Sequence, residues 1–294
     1  CDTLRDNITF SDKDASVSLE PTIAHRVVIR FRHNKMKLSD KITNTDPAYD
    51  KVDGMGIAKT ITQDVYIQES QAQEDTESAR VAAKMLNEFT VQVVKLLGDH
   101  PINRARISSG KKPMNCILAR DSGNRYPNLE SMSRKYGISA GCIVDMPVEI
   151  GIAKVLDIKI FHAGEISDYE KKAIVAANSL KSVDVIYVHI KGPDEFGHDG
   201  DARGKKKNIE DIDRRFFGTL KRDLNLDATI VVCGDHSTPC IKKGHSDDPV
   251  PLLISGSRVK GDGSERFTEN YGKHGRLGLM MGIDVLPTTI DMIT

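Results

Sequence analysis

The chain has 294 residues, with 42 basic and 42 acidic side chains and a formal net charge of zero. That balance gives no electrostatic case for nucleic acid or an anionic membrane surface, and 5% aromatic residues without Trp supply no stacking platform for bases. The length suits two domains, or one large α/β domain carrying an insertion.

No apolar stretch approaches the roughly 20 residues of a membrane span, and "CDTLRDNITF" is no signal peptide. The opening carries no Met, so the chain reads as beginning partway through a longer protein. Its five cysteines, Cys1, Cys116, Cys142, Cys233 and Cys240, contain no C-x-x-C pair. Three of them sit in apolar runs as small hydrophobes, which points to a reducing compartment and a cytoplasmic location.

Residues 1–20 are polar and show no clear element. "AHRVVIRFR" (24–32) predicts a β-branched strand, and 33–63, rich in Asp, Asn, Thr, Gly and Pro, a long loop. The strongest helix signal is "EDTESARVAAKMLNEFTVQVVKLLG", where Ala79, Ala82, Leu86, Phe89, Val93 and Leu97 recur every three or four residues until Gly98. "NCIL" (115–118) reads as a strand among loops. From about residue 126 the texture changes. "NLESMSRKYG", "PVEIGIAKVLD" and "DYEKKAIVAANSLKS" read as helices between the apolar "ISAGCIV" and "IKIF". Three apolar strands follow, "VDVIYVHI" (183–190), "ATIVVC" (228–233) and "PVPLLIS" (249–255). The helix between the first two, "NIEDIDRRFFGTLKRD", aligns Ile209, Ile212, Phe216 and Leu220 on one face. Apolar strands alternating with amphipathic helices predict an α/β fold, a doubly wound parallel sheet covered on both faces, following a mixed α/β unit that ends near residue 125.

In open α/β sheets, functional groups gather beyond the carboxyl ends of the strands. Asp194 and His198 follow the first strong strand, Asp235 and His236 the second, and His245 precedes the third. Any one of these motifs alone is better explained as a helix cap or loop tether. Together, two carboxylates and three imidazoles from three loops suit Zn²⁺ or Mn²⁺ better than Ca²⁺. Five ligands exceed one open catalytic site, so a two-metal centre of the kind that clamps a phosphoryl displacement is the economical reading. Gly192, Gly197 and Gly234 would let the backbone turn around the ions.

"PDEFGHDGD", "GDHSTPC" and "HSDDPVPLLI", in that order, resemble the archaeal type of cofactor-independent phosphoglycerate mutase, within the alkaline phosphatase superfamily. The likeness extends through "AHRVVIRFR", "LSDKITNTDP", "LNEF", "DHPINRAR" and the "PVEIGIAKVL" run. It implies an alkaline-phosphatase-like core in 126–294, a smaller inserted α/β cap for substrate in 20–125, and residues 1–19 as the end of an N-terminal core segment. It also implies interconversion of 2- and 3-phosphoglycerate through a phosphoserine, with two divalent ions (Mn, Zn, Mg or Co) and no organic cofactor. Asp194, His198 and His245 would hold one ion, Asp235 and His236 the other. The family's opening strand with its metal-binding Asp, and its nucleophilic Ser, are not recognisable. "VDGMG" (52–56) imitates the first but has no strand before it, and "HAGEISD" replaces an expected Gly-rich turn.

Phosphoglycerate offers a phosphate and a carboxylate, which bidentate Arg suits. Candidate contacts are His25 and Arg26, Arg104, and Arg120 with Asp121. Lys191, three residues before Asp194, is placed to reach a phosphoryl oxygen as a catalytic cation. The partner expected is a small phosphorylated molecule, without nucleic acid or membrane; the oligomeric state is not legible. Two rivals remain: a metal-dependent phosphatase or phosphodiesterase of the same superfamily, and a non-catalytic binding paralogue.

Overall fold

Alternating apolar side chains make β1 (Ala15–Pro21) and β2 (Val27–His33) an antiparallel ribbon in which Val17 faces Phe31 and Leu19 faces Ile29. The computed structural model describes residues 1–22, 25–52, 55–59, 66–224 and 227–293, in two compact units, Cys1–Asn128 and Leu129–Thr294. In the first unit the ribbon's inner face packs with α2 (Glu77–Gly98), the helix the 3–4 spacing predicts, capped where the Thr76 side chain accepts the Ala79 N–H. Phe89 and Val93 are fully buried, and Phe31 meets Phe89 edge to face with ring centroids 5.7 Å apart.

The polar start of the chain is not featureless. It forms α1 (Asp2–Arg5) and β1, and Leu4 and Leu19 enter the first unit's core. Its signal was weak because the apolar positions of β1 alternate with Ser and Glu over only seven residues. Within the predicted loop 33–63, β3 (Tyr49–Val52) and β4 (Met55–Ala58) pair as an antiparallel hairpin. Asp53 and Gly54 of "VDGMG" lie outside the described residues. "NCIL" is no strand. After α3 (Pro101–Ser108) the Asn103 side chain donates to Leu97 and Met114 carbonyls and accepts the Met114 N–H, while Thr45 bonds Ala119 on both sides. Side chains there satisfy backbone groups that a ladder would otherwise take.

In the second unit α4 (Met132–Tyr136) leads to β5 (Ala140–Ile143), buried along its whole length. It lies between β6 (Lys159–Ile160) and β7 (Val185–Val188), parallel to both. Successive side chains point to opposite faces. Ile143 joins one cluster, with α6 (Tyr169–Ser179) and Phe216, while Cys142 and Val144 join another, with Ala153 of α5 (Pro147–Val155). Both faces of this sheet are therefore covered, as its continuous apolar pattern requires.

Beyond β7 come α7 (Pro193–Asp199), α8 (Ala202–Ile212), a π turn at Asp213–Phe217 and α9 (Gly218–Asp223). The π turn shifts the helical register, so Phe216 and Leu220 are buried whereas Ile209 is 49% exposed. The last two strong strands correct one expectation. β8 (Ile230–Cys233) and β9 (Leu252–Ser255) pair antiparallel, as a separate two-stranded sheet. Parallel pairing needs a crossover, usually helical, and residues 234–251 contain no helix. The chain ends through α10 (Glu269–Gly272) and α11 (Gly282–Ile293). Among the described residues no helix is long and apolar enough to cross a membrane.

Candidate metal centre

The parallel sheet delivers β7 to a sharp exit at Gly192, whose φ of 136° strongly favours glycine; a Cβ there would stand 2.4 Å from Asn208 Oδ1. Asn208 donates to the Tyr169 hydroxyl, which donates to the Lys191 carbonyl, so two helices hold the turn. The chain then enters α7 with Pro193 in its first turn. Asp194 and His198, four residues apart on that helix, share one face, and His198 Nε2 lies 3.5 Å from Asp194 Oδ1. Gly197 serves close approach instead of a turn: a Cβ would meet the Thr238 carbonyl at 2.5 Å.

The segment after β8 completes the cluster. An antiparallel bridge between Ser237 and Ser246 sets His236 beside His245, their ring centroids 3.9 Å apart. His245 Nε2 is then 3.2 Å from His198 Nε2 and 3.6 Å from Asp194 Oδ1. Three donor atoms thus form a triangle with sides of 3.2, 3.5 and 3.6 Å. Donors about 2.1 Å from a shared ion at tetrahedral angles stand about 3.4 Å apart, so Asp194, His198 and His245 fit a divalent cation. His236 Nδ1 is 3.9 Å from Asp194 Oδ1, and Asp194, His236 and His245 also offer donor atoms all within 4.8 Å of one another. Asp235 adjoins, its Oδ2 3.4 Å from His236 Nε2. The five residues, two from α7 and three from the connection between β8 and β9, come together.

Their electrostatics favour the ligating forms. Burial works to raise the Asp194 carboxyl, but the Thr238 hydroxyl, donating at 2.5 Å, and the three imidazoles hold it below the usual carboxylate range. Burial, and then His236, push the His245 imidazole below its ordinary value, towards the neutral ring that binds metal. Thr238 escaped sequence reasoning, although it lies two residues beyond His236 and also stands 3.1 Å from that ring's Nδ1.

A second polar group borders the cluster. His189 sits just after β7 with Nδ1 3.0 Å from Glu149 Oε1 and Nε2 3.9 Å from Asp235 Oδ2. Lys191 donates to the same Glu149 oxygen at 2.9 Å. Burial opposes ionisation of Glu149, yet Lys191, the Met146 N–H and His189 hold its carboxyl below the ordinary value. The sequence assigns no role to either: Glu149 opens a helix, and His189 closes an apolar strand.

The anion candidates lie in the first unit. The Arg120 guanidinium stacks 3.6 Å over the Tyr49 ring, with Asp121 at 3.5 Å and the buried Asp46 at 3.7 Å. Arg104, exposed on α3, donates to the Asp99 carbonyl at 2.6 Å. His25 and Arg26 lie exposed between β1 and β2, where the Thr22 N–H and hydroxyl both donate to the Arg26 carbonyl. Arg120 and Asp121 meet; His25, Arg26 and Arg104 stand on other elements.

Residues 121–290 match the profile of the metalloenzyme superfamily, and residues 1–103 that of 2,3-bisphosphoglycerate-independent phosphoglycerate mutase. A mutase of that name from Aeropyrum pernix is 37% identical, covering 98% of this chain and 70% of its own length. The one from Methanosphaera stadtmanae is 33% identical over 95% of this chain and 66% of its own. With the Thermococcus kodakarensis relative covered to 54%, the chain spans between about half and just over two thirds of these curated proteins. A solved structure from Pyrococcus horikoshii, 30% identical, superposes with a TM-score of 0.61 over 74% of this chain and 58% of its own. A cofactor-independent phosphoglycerate mutase structure from Thermoplasma acidophilum, at 24% identity and a TM-score of 0.55 over 99% of this chain and 69% of its own, shares the fold. On the likeness to the Aeropyrum protein and the superfamily match over the metal-competent unit, the chain belongs to the 2,3-bisphosphoglycerate-independent phosphoglycerate mutase family of the metalloenzyme superfamily.

Proposed function

We propose that this protein interconverts 2-phosphoglycerate and 3-phosphoglycerate through a phosphoserine intermediate, in the cytoplasm, with two divalent ions and no organic cofactor. The observation that carries the reading is the donor triangle of Asp194, His198 and His245, with sides of 3.2 to 3.6 Å, flanked by Asp235 and His236. The first three would hold one ion and the last two the other, drawn from Mn, Zn, Mg or Co. Such ions neutralise charge on phosphoryl oxygens. The serine nucleophile is not among the residues recognisable in this chain.

The chain's own groups contribute position and charge. Lys191, 30% exposed at the β7 exit and paired with Glu149, is the candidate cation for a phosphoryl oxygen, three residues before Asp194. In the reading proposed, the first unit acts as the substrate cap. Arg120 and Asp121, with His25, Arg26 and Arg104, are its candidates for the phosphate and carboxylate of glycerate, because fork-shaped guanidinium groups bind such anions with two hydrogen bonds. Holding glycerate away from water lets the phosphate return to the other hydroxyl.

The test is a coupled assay on the full-length protein with Mn²⁺, with and without Asp235→Ala, alongside a free-phosphate measurement. Isomerisation without added bisphosphoglycerate, falling to background in Asp235→Ala, is expected. Steady phosphate release without isomerisation would assign the site to a phosphatase or phosphodiesterase instead. Absence of both from metal-loaded protein would favour a binding paralogue.

A further inference from the structure

At the carboxyl edge of the parallel sheet, Glu149 makes more contacts than its place in the helix requires. It is the third residue of α5, and its Oε2 accepts the Met146 N–H at 3.0 Å, the return half of a capping box. A capping glutamate can leave its other oxygen in water. Here the side chain is 14% exposed, and Oε1 turns to the exit of β7, where it meets both Lys191 and His189. The sheet dictates that meeting. β5 and β7 are parallel neighbours, so the start of α5 and the residues after Val188 emerge side by side.

Charge balance explains one of these partners. A part-buried carboxylate needs a cation, and Lys191 supplies it. His189 goes further, because its other nitrogen faces Asp235 at 3.9 Å. One imidazole thus stands between a pinned carboxylate and a carboxylate of the candidate metal centre. The Tyr187 hydroxyl, 3.2 Å from His189 Nδ1, borders the same ring.

We propose that Glu149 is a positioning residue for the metal centre: it fixes the His189 ring so that Nε2 faces Asp235, and through that ring sets the orientation of the Asp235 carboxylate. The inference rests on the reading of Asp235 as a metal ligand. Outer partners of ligating groups typically contribute about 10- to 100-fold in metal affinity. Glu149→Gln separates this role from helix capping, since the amide keeps an oxygen for the Met146 N–H while removing the charge that holds the imidazole.

Calorimetric titration of Mn²⁺ into the metal-free full-length protein tests it, comparing wild type, Glu149→Gln, His189→Gln and the double variant, with a thermal melt of each. Each single change is expected to weaken Mn²⁺ binding about tenfold, and the double variant by about the same factor, because both act through one ring. The melts of the metal-free proteins should stay together. Wild-type affinity in Glu149→Gln, or losses that multiply in the double variant, would overturn the proposal. If Glu149→Gln does not fold, unchanged Mn²⁺ binding by His189→Gln overturns it equally. A wild-type protein that binds no Mn²⁺ would remove the metal reading beneath it, an outcome distinct from variants that bind as wild type does.

Discussion

The two units hide apolar surface by different means. In the first, a ribbon with one inward face lays Val17, Ile29 and Phe31 against one helix, and the core closes around Phe89 and Val93. In the second, the helix against the sheet is lined by Ala173, Ala176 and Ala177, small side chains that bring its backbone close. The strands there stop early, β7 and β8 after four residues each, and hand over to Gly-, Pro- and His-bearing segments. At the edge of that core lies a fully buried lysine, Lys172, which donates to both oxygens of Asp145 at 2.8 and 3.0 Å. The first unit's core rests on size and shape, whereas the second places charge just beyond its strand ends, where a polar site must be built.

Replacing the central aromatic breaks this comparison most severely. Phe89→Ala removes a fully buried ring that meets Phe31, and is expected to cost about 3–5 kcal/mol in chemical denaturation. An equal loss from an alanine-lined position, such as Ala173→Gly, would show that the units do not differ as described.

Next comes the buried pair. Asp145→Ala strands the Lys172 ammonium, 1% exposed, and is expected to cost about 3 kcal/mol. Pairing it with Lys172→Met should recover most of that loss, because the stranded charge is gone. No recovery in the double variant would mean that the pair fixes geometry beyond its own charges.

The smallest effect sharpens the electrostatic side. Asp262 accepts the Arg276 N–H at 2.9 Å and the Ser264 N–H at 3.1 Å, and the first of these, then the Ser264 side chain and N–H, bring its carboxyl down to about 2. A depressed carboxyl adds stability above its unfolded value of 3.8 and loses it as pH falls through about 2. NMR titration of the side-chain carboxyl should place its midpoint near 2, and a midpoint near 3.8 would show the loop open in solution. Asp262→Asn should narrow the acid-unfolding difference only slightly, since the group is exposed.

Much of this was legible in the sequence. The stripe of Ala79, Ala82, Leu86, Phe89 and Val93 identified α2, and the run from "ISAGCIV" to "VDVIYV" announced a sheet buried on both faces, because strong periodicity survives without tertiary help. β1 and the hairpin within 33–63 are not legible in the sequence, since short strands with polar alternate positions resemble loops until a partner strand is known. "NCIL" misleads in the opposite sense: Ile117 packs on the first core while Leu118 is exposed, and the Asn103 and Thr45 side chains take up neighbouring backbone bonds.

By itself the sequence determined which chemistry is available: carboxylates and imidazoles placed beyond apolar strands, in a chain with no net charge to attract a polyanion. Residue types and spacing fix that much, because i,i+4 on a helix forces Asp194 and His198 together. Only the tertiary structure decided which of the other donors join them. The Ser237–Ser246 bridge stacks His236 on His245, the antiparallel return of β9 follows from a connection without a helix, and Glu149 meets His189 because β5 and β7 are neighbours. Those contacts join residues 9 to 40 positions apart in the chain, a separation over which local pattern carries no information and packing alone selects the partner.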